Sequence, residues 1–328
     1  KPNSKDPWGV RVTVGSQFLA LHGLGAARSH IDYVMEHLGF RYGPNDISLS
    51  RIDYCVDVLA PGFTLDPDRF VMHSAALRRD HIEGDAMSVA GKSGRTTSCT
   101  IGKMPGRQII LYDKRAEVIA KHSPHWWEIW NTTLRAEAED PNPYATLRRI
   151  EGDPSPLQTL SPDPELAAQN RVWRVEFRAG KKALKDTWGI RTWSDMFERY
   201  GDLIQKTGEA IRYTEPTPGD SNRARWPNHM LWEIICAEMQ RDLFEMHSGA
   251  DPMTVKEVNR MEHIRLIYRG VFGNTLTFCA LHAGDFEGME SLITALHHQM
   301  VQDIQAHPER MAKRFQEAKE RYVFVGEQ

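Results

Sequence analysis

Three short stretches of this chain carry ionisable side chains at alternate positions, with apolar residues between them. In Ser50-Arg51-Ile52-Asp53-Tyr54-Cys55-Val56-Asp57-Val58, the residues Arg51, Asp53 and Asp57 fall together, opposite Ile52, Tyr54, Val56 and Val58. Gln108-Ile109-Ile110-Leu111-Tyr112-Asp113-Lys114 sets Tyr112 and Lys114 against Ile109 and Leu111. Val172-Trp173-Arg174-Val175-Glu176-Phe177-Arg178 sets Arg174, Glu176 and Arg178 against Trp173, Val175 and Phe177. Successive side chains of an extended chain point to opposite sides, so each stretch reads as a strand with one apolar and one charged face. On one sheet, the charged faces would gather carboxylates able to hold a divalent cation, arginines able to hold phosphate, and a tyrosine hydroxyl able to attack it. That combination points to DNA strand cleavage.

Spacing limits which acids can cooperate. Asp53 and Asp57 share a side but lie ~13 Å apart at about 3.3 Å per residue, too far to ligate one ion closely on an unbent strand. Asp57 and Glu176 are therefore the favoured ligand pair, and Asp53 is balanced between ligand and arginine partner. Each feature has a plainer reading. The acids can be salt-bridge partners of Arg51, Arg174 and Arg178 on a solvated face, and Tyr112 a half-buried strand aromatic.

The elements that must position these groups are legible from period and punctuation. Arg11 to Ala20 alternates like a strand, and Leu19 to Gly25 ends in glycines that suggest a turn. Ser29 to Leu38 reads as a short helix closed by Gly39. Asp66 to Arg79 looks helical. Ser88 to Gly94 is a turn into Thr96 to Ile101, a hairpin partner for the tyrosine strand. Glu117 to Ala136 holds Trp126, Trp127 and Trp130, an aromatic face suited to unpaired bases or to a core. Glu139 to Asp163 is rich in Pro and Asp and reads as loop. Thr192 with Asp195 forms a capping box that opens a helix carrying Trp193, Phe197, Tyr200 and Ile204 on one side. The Pro/Gly-rich stretch from Thr214 to Pro227 reads as a linker between residues 1–213 and a helical domain, 228–328. There Leu231, Ile235, Met239, Leu243 and Met246 form one stripe, Leu292, Leu296, Met300 and Ile304 another, and Thr254 with Glu257 starts the helix between them. The expected class is α+β: a catalytic domain on a curved, largely antiparallel sheet with flanking helices, then an all-helical domain.

Bulk properties narrow the field. The 328 residues suffice for one large domain or two ordinary ones, with 41% hydrophobic and 26% charged residues. No long uncharged apolar run suggests a membrane span, and the first residues lack the apolar segment of a signal peptide and an initiator Met, as in a processed or trimmed chain. Cys55, Cys99, Cys236 and Cys279 are scattered, which favours reduced thiols in a cytoplasm over a zinc site or disulfide framework. The formal net charge of −3 argues against coating nucleic acid through bulk charge, but not against a local cluster of arginines. Gly91 to Gly94 includes Lys92 but lacks the spacing of a nucleotide-binding phosphate loop.

The order and wording of the three strands resemble the replication initiation factor family of rolling-circle initiators, with related relaxases. The matching segments are Arg51-Ile52-Asp53 with Asp57; Ser98-Cys99-Thr100-Ile101-Gly102, where Ser98 stands in a usual threonine position; Arg107; Tyr112-Asp113-Lys114 with Glu117; and Trp173-Arg174-Val175-Glu176. The resemblance covers about residues 10 to 205. It implies that Tyr112 attacks a DNA phosphodiester, keeps the 5′-phosphate and frees a 3′-OH. A tyrosine titrates near ~10, so a metal on Asp57 and Glu176, with Asp53 as a further candidate, and Lys114 on the same face would assist it. Arg51, Arg107, Arg174 and Arg178 would hold phosphates. The other large class of rolling-circle enzymes uses a His-hydrophobic-His metal pair, a form that neither His122/His125 nor His297-His298 has. Carboxylate ligation favours Mg²⁺ or Mn²⁺. The implied partners are single-stranded or cruciform origin DNA, a helicase and a second copy of the chain. Two rival functions are a metal nuclease using water and a non-catalytic origin- or operator-binding protein.

Overall fold

The computed structural model describes residues 9–43, 46–72, 87–139, 147–150, 159–239, 248–283 and 286–321. Among these lie eight strands: β1 (Arg51–Leu59), β2 (Phe70–Met72), β3 (Met87–Lys92), β4 (Arg95–Gly102), β5 (Arg107–Asp113), β6 (Leu147–Arg149), β7 (Val172–Gly180) and β8 (Ile211–Tyr213). Eight α-helices accompany them: α1 (Ser16–His37), α2 (Lys114–Ala120), α3 (His125–Glu139), α4 (Trp193–Ala210), α5 (Met230–Glu238), α6 (Pro252–Ala283), α7 (Met289–Ala306) and α8 (Pro308–Arg321). The three alternating stretches are β1, β5 and β7, and they are neighbours in a sheet ordered β3-β4-β5-β7-β1-β6. Every pairing is antiparallel except β1 with β6. The class is the expected α+β with a largely antiparallel sheet.

Alternation sorts the sheet into two faces. Tyr54, Val56 and Val58 of β1, Ile109 and Leu111 of β5, and Trp173, Val175 and Phe177 of β7 are all buried in one core. Against them pack Tyr200, Leu203 and Ile204 of α4 and Leu231, Trp232 and Ile235 of α5. Each such large side chain contributes about 1.5–3 kcal/mol by leaving water, so this face is where the fold's stability is concentrated. Thr192 caps α4 as expected: its Oγ1 accepts from the Asp195 amide at 3.3 Å, and Asp195 accepts from the Thr192 amide at 2.8 Å. The turn between β3 and β4 is Ser93-Gly94, with φ of 54° and 73°, the left-handed pair that suits the twist of a two-residue hairpin. The glycine stretch is thus a hairpin tip, and β3 already begins at Met87.

Several expectations change. Arg11 to Ala20 is not a strand: α1 begins at Ser16, and Gly23 (φ 76°, ψ 175°) appears as a kink within it rather than as a turn. Its end does follow the sequence, since Gly39 (φ 78°) donates to Glu36 O and Phe40 to Met35 O, both at 2.9 Å. Pro67–Arg69 is a single 3₁₀ turn leading into β2, while 73–79 of the proposed helix lies outside the described residues. Most of the Glu139–Asp163 loop also lies outside them, as do Leu243 and Met246. α6 starts two residues before Thr254, because Asp251 takes the cap and accepts from the Thr254 amide at 2.9 Å.

The chain divides into two compact units, Lys1–Lys121 with Trp126–Ala250, and His122–His125 with Asp251–Gln328. The division falls near residue 250, not at 214–227. The Pro/Gly-rich stretch closes on itself, with Thr214 bridged to Asn228 and the Glu215 amide donating to Pro227 O at 2.9 Å. It is therefore a loop of the first unit, and the Leu231-Ile235-Met239 stripe of α5 serves the sheet's core. The second unit holds α6, α7 and α8; on α6, Ile264, Ile267, Tyr268, Val271 and Phe272 are exposed. No helix among the described residues is long and apolar enough to cross a membrane.

Candidate active site

Register fixes which polar groups meet. Ser98 pairs with Tyr112, Tyr112 with Arg174, and Arg174 with Asp57, so one row of side chains crosses β4, β5, β7 and β1. The next row on the same face holds Glu176 and Cys55, and the one after it Gln108, Arg178 and Asp53. Asp57, Tyr112 and Glu176 thus share a face opposite the core. Diagonal neighbours across a sheet lie within reach of long side chains, and Tyr112 uses that reach. Its hydroxyl donates to Glu176 Oε1 at 2.7 Å. Burial, foremost, raises the pKa of the Tyr112 phenol, Arg174 opposes that rise, and the Glu176 carboxylate adds to it.

The row behind Tyr112 is closed. Arg174 donates to Asp57 through Nε at 2.5 Å and Nη2 at 2.7 Å, and Trp130 Nε1 donates to the same carboxylate at 2.8 Å. Arg174 and Asp57 side chains are 3% and 1% exposed. Burial works against the guanidinium charge, yet Asp57 beside it holds Arg174 protonated. The Trp126 ring lies 4.2 Å from the Arg174 guanidinium carbon and 4.9 Å from Lys114 Nζ. Lys114, first residue of α2, pairs with Glu117, and its Nζ is 5.8 Å from the Tyr112 ring centre. Burial, then Arg174, lowers the pKa of Lys114.

The opposite end of the face is open. Side-chain exposure rises to 11% at Glu176, 26% at Arg178 and 33% at Asp53. Glu176 Oε2 accepts from Arg178 Nε at 2.8 Å, and that same Nε lies 3.7 Å from Asp53 Oδ2. Arg51 grips Asp53 with two hydrogen bonds, of 2.7 and 2.5 Å.

This gradient tests the expected metal ligands. Asp57 does not fit: its carboxylate is buried and engaged by three donors, leaving no approach for a hydrated cation, which corrects the expectation from the sequence. Glu176 and Asp53 fit better, as two carboxylates directed at one position now taken by Arg178. Among the described residues no three His, Cys, Asp or Glu side chains form a ready ligand set. Arg107 also departs from expectation. It pairs with Ala179 on the core side of the sheet, where Nη1 donates to Thr207 Oγ1 of α4 at 3.0 Å. The phosphate-holding candidates that do share the Tyr112 face are Arg51, Arg174 and Arg178. Trp126 and Trp130 wall the site from within, with 4% and 0% exposure, and offer no stacking platform for bases. Their i, i+4 spacing on a helix was the available signal; their partners were not readable.

No family model and no curated protein matches the chain. Among solved structures it is similar to the rolling circle replication initiator protein from Geobacillus stearothermophilus, with 12% identity and a TM-score of 0.28 over 62% of this chain. The matched part spans 59% of that protein's chain.

Proposed function

We propose that this protein is a metal-dependent DNA strand transferase that nicks and religates one strand at a rolling-circle replication or transfer origin. The observation that carries this reading is the Tyr112 hydroxyl, held at 2.7 Å from a carboxylate on a sheet face lined with arginines. Tyr112 Oη attacks the phosphorus, the bond from phosphorus to the 3′-oxygen breaks, and the 5′-phosphate stays on the tyrosine. Glu176 Oε1 takes the phenolic proton, which leaves with the freed 3′-OH. Arg178 and Arg51, at the accessible end, meet the incoming phosphates, and Arg174 offsets the charge that develops beside Tyr112. A divalent cation on Glu176 and Asp53 would supply further charge neutralisation of the phosphate. Religation reverses the attack from a 3′-OH.

The test is a pool of random single-stranded oligonucleotides labelled at the 3′ end, incubated with protein and Mn²⁺ and resolved on a denaturing gel. A labelled band at the protein's mobility is expected, and sequencing the trapped DNA gives the cleavage site. Tyr112→Phe should abolish the band, EDTA should prevent it, and Glu176→Ala and Asp53→Ala should raise the Mn²⁺ requirement. Cleavage without a covalent band, equal in Tyr112→Phe, would instead identify a nuclease using water.

A further inference from the structure

We propose that Asp57 and Trp130 are positioning residues that clamp Arg174 next to Tyr112, a role that rests on Tyr112 being the nucleophile. Asp57 takes the fork of Arg174 in two parallel hydrogen bonds, of 2.5 and 2.7 Å, and Trp130 Nε1 fixes the carboxylate from α3 at 2.8 Å. A bidentate pair sets the plane of the guanidinium as well as its place. The Trp126 ring, 4.2 Å from the guanidinium carbon, packs against that plane. Register then delivers the held group to its destination, since Arg174 stands directly across from Tyr112 on the neighbouring strand. The two donors used, Nε and Nη2, are both committed to Asp57.

Stability alone gives little reason for such a pair. A buried ion pair loses nearly as much in desolvation as it gains in attraction, and an apolar pair of similar volume generally serves the fold equally well. A fixed cation beside a developing charge does give one, because a preorganised donor needs no rearrangement during reaction.

Three variants separate these roles. Trp130→Phe keeps an aromatic side chain at this buried position and removes the indole N–H together with the fused five-membered ring. It should lower kcat for nicking about 10-fold, with KM for the oligonucleotide and the half-saturating Mn²⁺ concentration unchanged. Asp57→Leu with Arg174→Met removes both charges together and strands neither, leaving only the buried Trp130 N–H without its acceptor; it should fold, with Tm lowered by no more than one lost hydrogen bond costs, and nick at least ~10²-fold more slowly. Side-chain NMR reads the clamp without any reaction: the Arg174 Nε–H resonance, assigned by its loss in the double variant, should exchange slowly in the wild type and faster in Trp130→Phe. Wild-type kinetics in either variant would overturn the proposal, as would a raised Mn²⁺ requirement in Trp130→Phe or an Arg174 signal that Trp130→Phe leaves unmoved. Nicking that survives Tyr112→Phe strikes at the nucleophile instead, and the NMR comparison still decides whether Arg174 is clamped.

Discussion

The two faces of the central sheet are built from the same strands, and alternate residues assign them opposite work. Trp173, Val175 and Phe177 point one way from β7 into a core with 0 to 2% exposure. Arg174, Glu176 and Arg178 point the other way, and each sits in an ion pair. The first set gains free energy by leaving water and needs no particular partner, only a filled volume. The second set loses free energy on burial and is tolerable only because every charge meets its complement. The difference teaches that stability and chemistry are divided by the pleat, one residue apart along the chain. Substitutions should therefore segregate by parity, with odd and even neighbours failing in different assays.

The largest effect should come from the core side. Trp173→Ala removes a fully buried indole between β1 and β5, packed edge-on against Phe63 at 5.0 Å between ring centres. It should destabilise the protein by about 3–5 kcal/mol in urea unfolding, whatever its effect on DNA. Tyr112→Phe, on the other side, should cost less than about 2 kcal/mol, since only one hydrogen bond is lost, while covalent attachment disappears. If Tyr112→Phe unfolds as readily as Trp173→Ala, the division by face is wrong.

A smaller effect tests whether the core's covering helix is held by its cap as well as by its apolar stripe. Thr192→Ala deletes the hydroxyl that accepts from the Asp195 amide and leaves that donor unpaired at the start of α4. A loss of about 1 kcal/mol is expected, with nicking per folded molecule unchanged, because α4 packs on the core face. A change in nicking rate without a change in stability would show that α4 reaches the chemistry.

How much of this could be read beforehand follows from which contacts are local. The strand faces were legible, because period two needs only neighbours, and so was the capping box of α4. Arg107 was readable too: it stands five residues before Tyr112, and an odd separation puts it on the opposite face. The Tyr112–Glu176 hydrogen bond needs the register of β5 against β7, which no local signal carries. The clamp on Asp57 joins residues 117 and 73 positions apart, so the acid looked like a ligand when its partners were out of view. α5 showed its stripe, but a stripe does not say which core it enters. Its membership in the first unit depends on Trp232 and Ile235 meeting the sheet.

The smallest expected effect probes one ionisable group on the core side, where the comparison predicts that charge is unwelcome. His229 packs edge-on against Phe63 and Tyr213, and its Nδ1 accepts from the Leu231 amide at 3.1 Å, capping α5. Burial lowers its pKa below the usual 6.5; Glu215, 3.7 Å away, opposes this, and Arg69 reinforces it. The neutral ring is thus the form that suits the fold. A depressed folded-state pKa means the unfolded chain binds the proton first, so the contribution is complete above about pH 6.5 and is lost as pH falls towards the folded-state value. Protonation also converts the accepting Nδ1 into a donor and removes the cap. His229→Asn retains an acceptor suited to that position and titrates nothing. Urea unfolding at steps from pH 7.5 to 5 should show wild-type stability declining relative to the Asn variant below pH 6.5, with a constant offset above it from the altered packing. Parallel curves across the whole range would mean that His229 accepts its proton without penalty, and that the core side tolerates charge as the other side does.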